Sequence, residues 1–210
     1  MGLGPAPCLA FSLVPTSMFG RAKYFLKTSK IVKILKIKRA FDQAVKSIKS
    51  GQVLICPTDT VYGLICDAQN KKAVEKIYQI KKRPKNKLLP IFVKDIKMAK
   101  KLAEIDFKQE KFLKHAWPGP VTAVFHHQKP GIRIPNHKFV LDLVVRIGPL
   151  AETSANISGE PASTKISEVL KQFEGQKHQP DLVIDAGNLK KSRPSKVIDL
   201  TVWPPKILRQ

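Results

Sequence analysis

From Val53 to Val93 the chain reads as strand, polar turn, helix and strand in direct succession, and that order leaves few folds open to it. The apolar run Val53-Leu54-Ile55-Cys56 stops at Pro57, as a buried strand would. Thr58, Asp59, Thr60 and Tyr62 then set four polar side chains around a turn closed by Gly63. Ala73, Val74, Ile77, Tyr78 and Ile80 recur at three- and four-residue spacing, which predicts a helix. That helix must end near Lys82, because Pro84 drives the residue before it out of the α region. Leu88 to Val93 then reads as a second strand.

Five cations fall within the seven residues Lys81 to Lys87. Two readings compete for them. Lysines and arginines at a helix C-terminus complement the macrodipole and are usually solvated. Against that, the run lies between two strands, and Arg83 is fixed by the proline that follows it. A planar, permanently charged guanidinium held in such a place suits a phosphate or a carboxylate.

Charge makes the same demand on the whole chain. With 38 basic and 16 acidic residues among 210, the formal net charge is +22. Residues 1–40 hold eight of the basic residues and no acid, so the remainder still carries 30 against 16, or +14. Such a potential implies polyanionic partners, nucleotide phosphates or RNA, without choosing between them. The three cysteines, Cys8, Cys56 and Cys66, form no C-x-x-C pair. A disulfide framework or a zinc site is therefore disfavoured, and a reducing cytosol fits better. His115, His126, His127, His137 and His178 lack metal-ligand spacing, so no protein-bound metal is expected.

Residues 1–19 are apolar but interrupted by three prolines, too short for a membrane span and without the basic leader of a signal peptide. Residues 20–39 are lysine-rich and acid-free. Together 1–39 read as a flexible basic extension and 40–210 as one domain. Within it, Ala40 to Ser50 patterns as an amphipathic helix. A helix from Lys94 runs through Met98, Leu102 and Ile105, and another spans Lys108 to His115. Val121 to Phe125 is strand-like, Gly131 to Pro135 extended, and Asn136 caps the next helix. Leu150 to Pro161 is a loop dense in hydroxyls, and Thr164 caps a helix over 165–174. Leu182 to Asp185 and Lys196 to Leu200 are the last two strands. Alternating strands and helices place the fold in the α/β class.

Three separated motifs, PTDTVYGL from Pro57, Lys81-x-Arg83 and Ser154-Ala155-Asn156, resemble the YrdC-type family, whose members make threonylcarbamoyl-AMP. The resemblance covers about residues 40 to 209 and is similar to the short, single-domain branch, with Pro194-Ser195-Lys196 where many members have Glu-Ser-Thr. It implies a curved, open, mixed sheet flanked by helices with a concave basic face. By position, Arg83, Lys87, Asn156, Thr164 and Ser195 match ATP contacts, and Thr60, Arg133 and Ser154 match contacts to threonine. Lys81 and Arg83 take the catalytic roles, and Asp59 shapes the loop. The implied reaction joins L-threonine, bicarbonate and ATP into threonylcarbamoyl-AMP and pyrophosphate, with Mg²⁺ accompanying ATP. A downstream transferase complex acting on tRNA is implied as the consumer.

The physics of the residues agrees with those roles. A substrate carboxylate needs a cation, which Arg133 supplies, and the threonine hydroxyl needs polar partners or it is desolvated without compensation. Charge developing on departing pyrophosphate needs cations near Arg83. No protein nucleophile is required, because the attacking group is the carbamate of the amino acid. The rival reading is a tRNA- or double-stranded-RNA-binding module that keeps the basic face and a vestigial nucleotide site.

Overall fold

The structure, a computed structural model, describes residues 32–210 and the strand Lys23–Phe25. Most of the segment read as a flexible extension lies outside those residues, but not all of it. Lys23–Phe25 is β1, and Val32–Lys36 is β2, which pairs parallel with β9 (Leu182–Asp185). The folded unit therefore starts before residue 40. Val-Lys-Ile-Leu-Lys lays Val32 and Ile34 against the core while its lysines face water, and Lys36 donates to Asp185 at 2.6 Å.

Eleven strands form one mixed sheet among the described residues, in the order β1-β2-β9-β3-β4-β8-β5-β7-β6-β10-β11. The remaining strands are β3 (Leu54–Cys56), β4 (Gly63–Asp67), β5 (Ile91–Phe92), β6 (Val121–Val124), β7 (Ile132–Arg133), β8 (Leu150–Ser154), β10 (Lys196–Asp199) and β11 (Lys206–Arg209). Six helices accompany them: α1 (Phe41–Lys49), α2 (Lys71–Lys81), α3 (Ile96–Ala99), α4 (Phe107–Ala116), α5 (Lys138–Ile147) and α6 (Ile166–Phe173). This is the flanked, open, mixed α/β sheet expected.

Period-two alternation divides the core between the two faces of the sheet. Leu54 and Cys56 of β3 pack with Ala44 and Ile48 of α1 and with Val140, Leu143 and Val144 of α5. Ile55, between them, joins Ala73, Ile77 and Ile80 of α2 and Val169 and Phe173 of α6 on the other side. Helices thus cover both faces around β3. Further along, Ala123, Ile132 and Ile198 pack against Leu113 of α4, while Thr122, Arg133 and Val197, one residue out of phase, face a space that no helix of the described residues fills. That uncovered half-face is the cleft.

Five local expectations need correction. The hydroxyl-rich stretch from Leu150 opens as a central strand, β8, between β4 and β5. Only Ile91–Phe92 of the predicted strand 88–93 pairs, Pro90 lying just before it. The helix from Lys94 stops at Ala99, and Asp106 caps a separate α4 through a capping box with Gln109. Thr164 caps nothing: the Ser163 hydroxyl accepts from the Lys165 amide at 2.9 Å as α6 begins, and α5 starts after His137 without the side-chain cap expected of Asn136.

Candidate active site

The cleft has a volume of about 310 Å³ and is walled by the turn before β4, the end of α2, and strands β6, β7, β8, β10 and β11. Thr60, Arg83, Arg133, Ser154 and Ser195 all line it. Residues up to 135 positions apart in sequence therefore meet at one surface, as the sequence reading required.

The floor is built from the turn Thr58–Tyr62. Thr58 Oγ1 donates to the Val61 carbonyl at 2.7 Å and accepts from the Thr60 amide at 3.1 Å, which closes the turn locally. With its proton committed, Thr58 accepts from the Thr60 hydroxyl at 3.0 Å, so Thr60 presents an oxygen to its surroundings. Arg133 Nη1 reaches that oxygen at 3.5 Å. Tyr62 turns the other way, its phenol donating to the Gly187 carbonyl at 2.7 Å, and burial pushes it up to about 12.

Arg133 is 1% exposed and heavily engaged. Its Nε donates to the Gly119 carbonyl at 2.9 Å, Nη2 to Asp59 Oδ1 at 2.6 Å, and its guanidinium lies 5.5 Å from the Phe92 ring centroid. The Trp117-Pro118-Gly119-Pro120 loop thus fixes the arginine, and Asp59 does more than shape its turn: it is the counter-ion. The two N–H bonds that remain are what Arg133 offers to a ligand.

Lys81 departs from the expected role. It is 2% exposed, and its ammonium donates to the Ser154 carbonyl at 2.6 Å, the Asn156 carbonyl at 2.8 Å and Asn156 Oδ1 at 3.0 Å. All three N–H bonds face the loop after β8. Asn156 is likewise occupied, its Nδ2 donating to the carbonyls of Ile157 at 2.9 Å and Glu160 at 2.7 Å. Both residues build the Ser154 loop from beneath and stand outside the cleft wall. Burial, with Arg83 and Arg209 nearby, lowers the Lys81 ammonium to about 7, while Glu152 opposes the shift.

The rim holds the more accessible cations, half-buried Arg83 and exposed Lys87 and Arg209. Lys82 adopts φ 52° as it ends α2, which turns the chain so that Arg83 faces the cleft. The Arg83 Nε and Nη2 donate to the carbonyls of Lys87 at 2.8 Å and Leu88 at 3.2 Å, leaving the rest of the fork free. Burial lowers its pKa from the ordinary arginine value, with Arg209 adding to the shift. Lys87 contributes that carbonyl while its side chain is exposed and off the wall. Thr164 is also off the wall, its carbonyl accepting from the Leu189 amide at 2.8 Å.

Among the lining residues that escaped the sequence reading are the charged Arg209 and Glu152. Arg209 returns on the β10–β11 hairpin to donate to the Ser195 carbonyl at 2.8 Å, next to the Ser195–Thr122 hydroxyl pair at 3.0 Å. Glu152 is the sole carboxylate among the described residues of the wall. Neither has a local sequence signal, since only pairing across the sheet brings them in. No group of three or more histidines, cysteines and carboxylates that could hold a metal occurs among the described residues.

With this geometry established, likeness to known proteins carries weight. A family model for Sua5, YciO and YrdC proteins, described as "Telomere recombination", matches residues 46–210. The chain belongs to the Sua5/YciO/YrdC family. A Pseudomonas fluorescens member named threonylcarbamoyl-AMP synthase is 35% identical over 172 residues, covering 75% of this chain and 91% of that one. The Pyrococcus abyssi threonylcarbamoyl-AMP synthase is 35% identical over 176 residues, 77% of this chain but only 51% of its own length. The crystal structure of Pyrococcus abyssi Sua5 complexed with L-threonine superposes with a TM-score of 0.76 at 33% identity, over 84% of this chain and 56% of that one. The chain thus spans nearly all of the bacterial relative and about half of the archaeal one.

Proposed function

We propose that this chain is a threonylcarbamoyl-AMP synthase, a nucleotidyltransferase that uses ATP, L-threonine and bicarbonate. One observation carries the reading: a single cleft joins a hydroxyl-lined floor, Thr60 and Ser154 beside Arg133, to a cationic rim led by Arg83. An RNA-binding surface needs the rim but has no use for a buried, hydroxyl-lined floor.

In this reading the amino acid lies on the floor, its carboxylate toward the two free N–H bonds of Arg133 and its hydroxyl toward Thr60 and Ser154. Threonine's amine and bicarbonate form the carbamate, and a carbamate oxygen attacks the α-phosphorus of ATP. The bond to the β-phosphate oxygen breaks, and pyrophosphate leaves. Arg83, with Ser195 and Arg209 across the cleft, stabilises the charge on that leaving group. Lys81 and Asn156 act by holding the Ser154 loop in place. Lys87 and Thr164 flank the nucleotide from outside the wall. Mg²⁺ accompanying ATP would neutralise phosphate charge opposite Arg83.

The product is a mixed anhydride, so a transferase acting on tRNA is the expected consumer. No helix among the described residues is long and apolar enough to cross a membrane. Cys56 and Cys66 are free and buried. Pyrophosphate release from ATP tests the proposal. It should require both L-threonine and bicarbonate, and release indifferent to the amino acid would overturn it.

A further inference from the structure

Glu152 sits where an ionisable side chain is expensive to keep. It is 8% exposed, at the middle of β8, on the same side of the strand as Ser154. Its Oε1 lies so near the bare Cα of Gly63 that a Cβ there would stand 3.1 Å from it, so the glycine makes room for the carboxylate at the end of the Thr60 turn. No described residue donates a hydrogen bond to that carboxylate. An unpartnered buried carboxylate is costly and calls for a reason.

The charges around it supply one. Arg133 from β7, Lys81 from α2 and Arg209 from β11 favour its ionised form, while burial and Asp59 from the turn oppose it, with the net pKa raised above the usual glutamate value. Yet neither Lys81 nor Arg133 donates to it: the Lys81 N–H bonds go to the Ser154 loop, and those Arg133 has engaged go to Gly119, Thr60 and Asp59. Burial outweighs the through-space pull of those cations, so the carboxyl's pKa stays raised, and none of them occupies its lone pairs. An acceptor is thus left open in the cleft, beside the Thr60 and Ser154 hydroxyls.

We propose that Glu152 is the base that takes the proton from the substrate's α-ammonium, an inference that rests on the threonine reading given above. At neutral pH the amino acid arrives as an ammonium with no lone pair, and it must lose one proton before it attacks bicarbonate. Glu152 accepts that proton and becomes a neutral acid. The freed nitrogen pair forms the N–C bond, and the bicarbonate hydroxyl leaves with a second amine proton as water. The products are the carbamate and protonated Glu152, which returns its proton to solvent as the products depart. A raised pKa strengthens the carboxylate as a base.

The test compares wild type with Glu152→Gln across pH, reading kcat for pyrophosphate release at saturating threonine and bicarbonate. Near neutrality the variant should be slower by about 100-fold, in the range for loss of a positioned base. The ratio of variant to wild type should climb as pH rises through the ionisation of threonine's own ammonium, approaching unity once the substrate arrives deprotonated. A ratio that is constant with pH, or a change confined to KM for threonine, would overturn the base assignment and leave Glu152 as a counter-charge. Thermal midpoints confirm that the isosteric variant folds. Should it not, Glu152→Asp keeps the charge the cations need, and it should be slower than wild type with an unchanged pH profile. If wild type itself releases no pyrophosphate with threonine, the synthase reading fails first, and this inference fails with it.

Discussion

Floor and rim of the cleft both carry cations, yet they use them in opposite ways. Lys81 and Arg133 are 2% and 1% exposed, and their N–H bonds go to carbonyls, Asn156, Asp59 and Thr60. Arg83 and Arg209 are far more accessible and keep part of their guanidinium unengaged. Desolvation explains the contrast. A buried cation must find acceptors within the protein, because leaving it bare costs several kcal/mol. Those acceptors make Lys81 wholly scaffold and leave Arg133 only two N–H bonds for a ligand. A hydrated cation has no such need and stays available for a ligand. Position in the sequence conceals this: Lys81 and Arg83 stand two residues apart and do different work.

The sharpest way to break the comparison is Lys81→Met. It strands two buried carbonyls and the Asn156 amide oxygen, so stability should fall by about 3 to 5 kcal/mol in chemical denaturation. A variant of ordinary stability that lost only activity would make Lys81 a ligand contact after all. Arg83→Lys should act the other way, with little change in stability and about 2 kcal/mol, roughly thirtyfold, off kcat/KM, because lysine keeps the charge but loses the planar fork.

Lys81 also gives the contrast a pH signature. Its folded pKa of about 7 lies below the ordinary value of 10.5, so between those two the unfolded chain binds the extra proton. Stability must then rise with pH across that window and be lost as pH falls toward 7. The stability difference between wild type and Lys81→Met should therefore widen by up to about 1.4 kcal/mol per pH unit there. A flat difference would place the ammonium in a better-solvated site. The smallest effect is expected from Lys85→Ala: Lys85 is exposed, paired only with Glu75 at 2.9 Å, and its loss should shift neither stability nor turnover by more than about 0.5 kcal/mol. Equal, mild effects from Arg83→Lys and Lys85→Ala would favour a diffuse basic surface, and with it the RNA-binding reading.

How far the sequence carried the fold depended on whether a residue's neighbours were local. α1, α2, β3 and β9 were legible because each buries a periodic apolar set against the core. β8 was not, because Glu152 and Ser154 face the cleft, and a strand polar on its functional side looks like a loop. β2 was absorbed into the extension because its lysines spoke louder than the alternation of Val32 and Ile34. At the site, the resemblance gathered Thr60, Arg83, Arg133, Ser154 and Ser195 at one wall, but could not tell a cation that lines the cleft from one that underpins it. That distinction depends on burial and hydrogen bonds, which no motif records. Arg209 and Glu152 arrive only through the β10–β11 hairpin and the register of β8 against β4.

Titrating wild type, Thr60→Val and Arg83→Ala separately with L-threonine and with ATP tests the division of the cleft most directly. If the floor holds the amino acid and the rim the nucleotide, Thr60→Val should weaken threonine about tenfold or more, through the unpaired polar groups left behind, and leave ATP unchanged. Arg83→Ala should do the reverse. Parallel losses of both ligands in both variants, or no loss in either, would contradict the account.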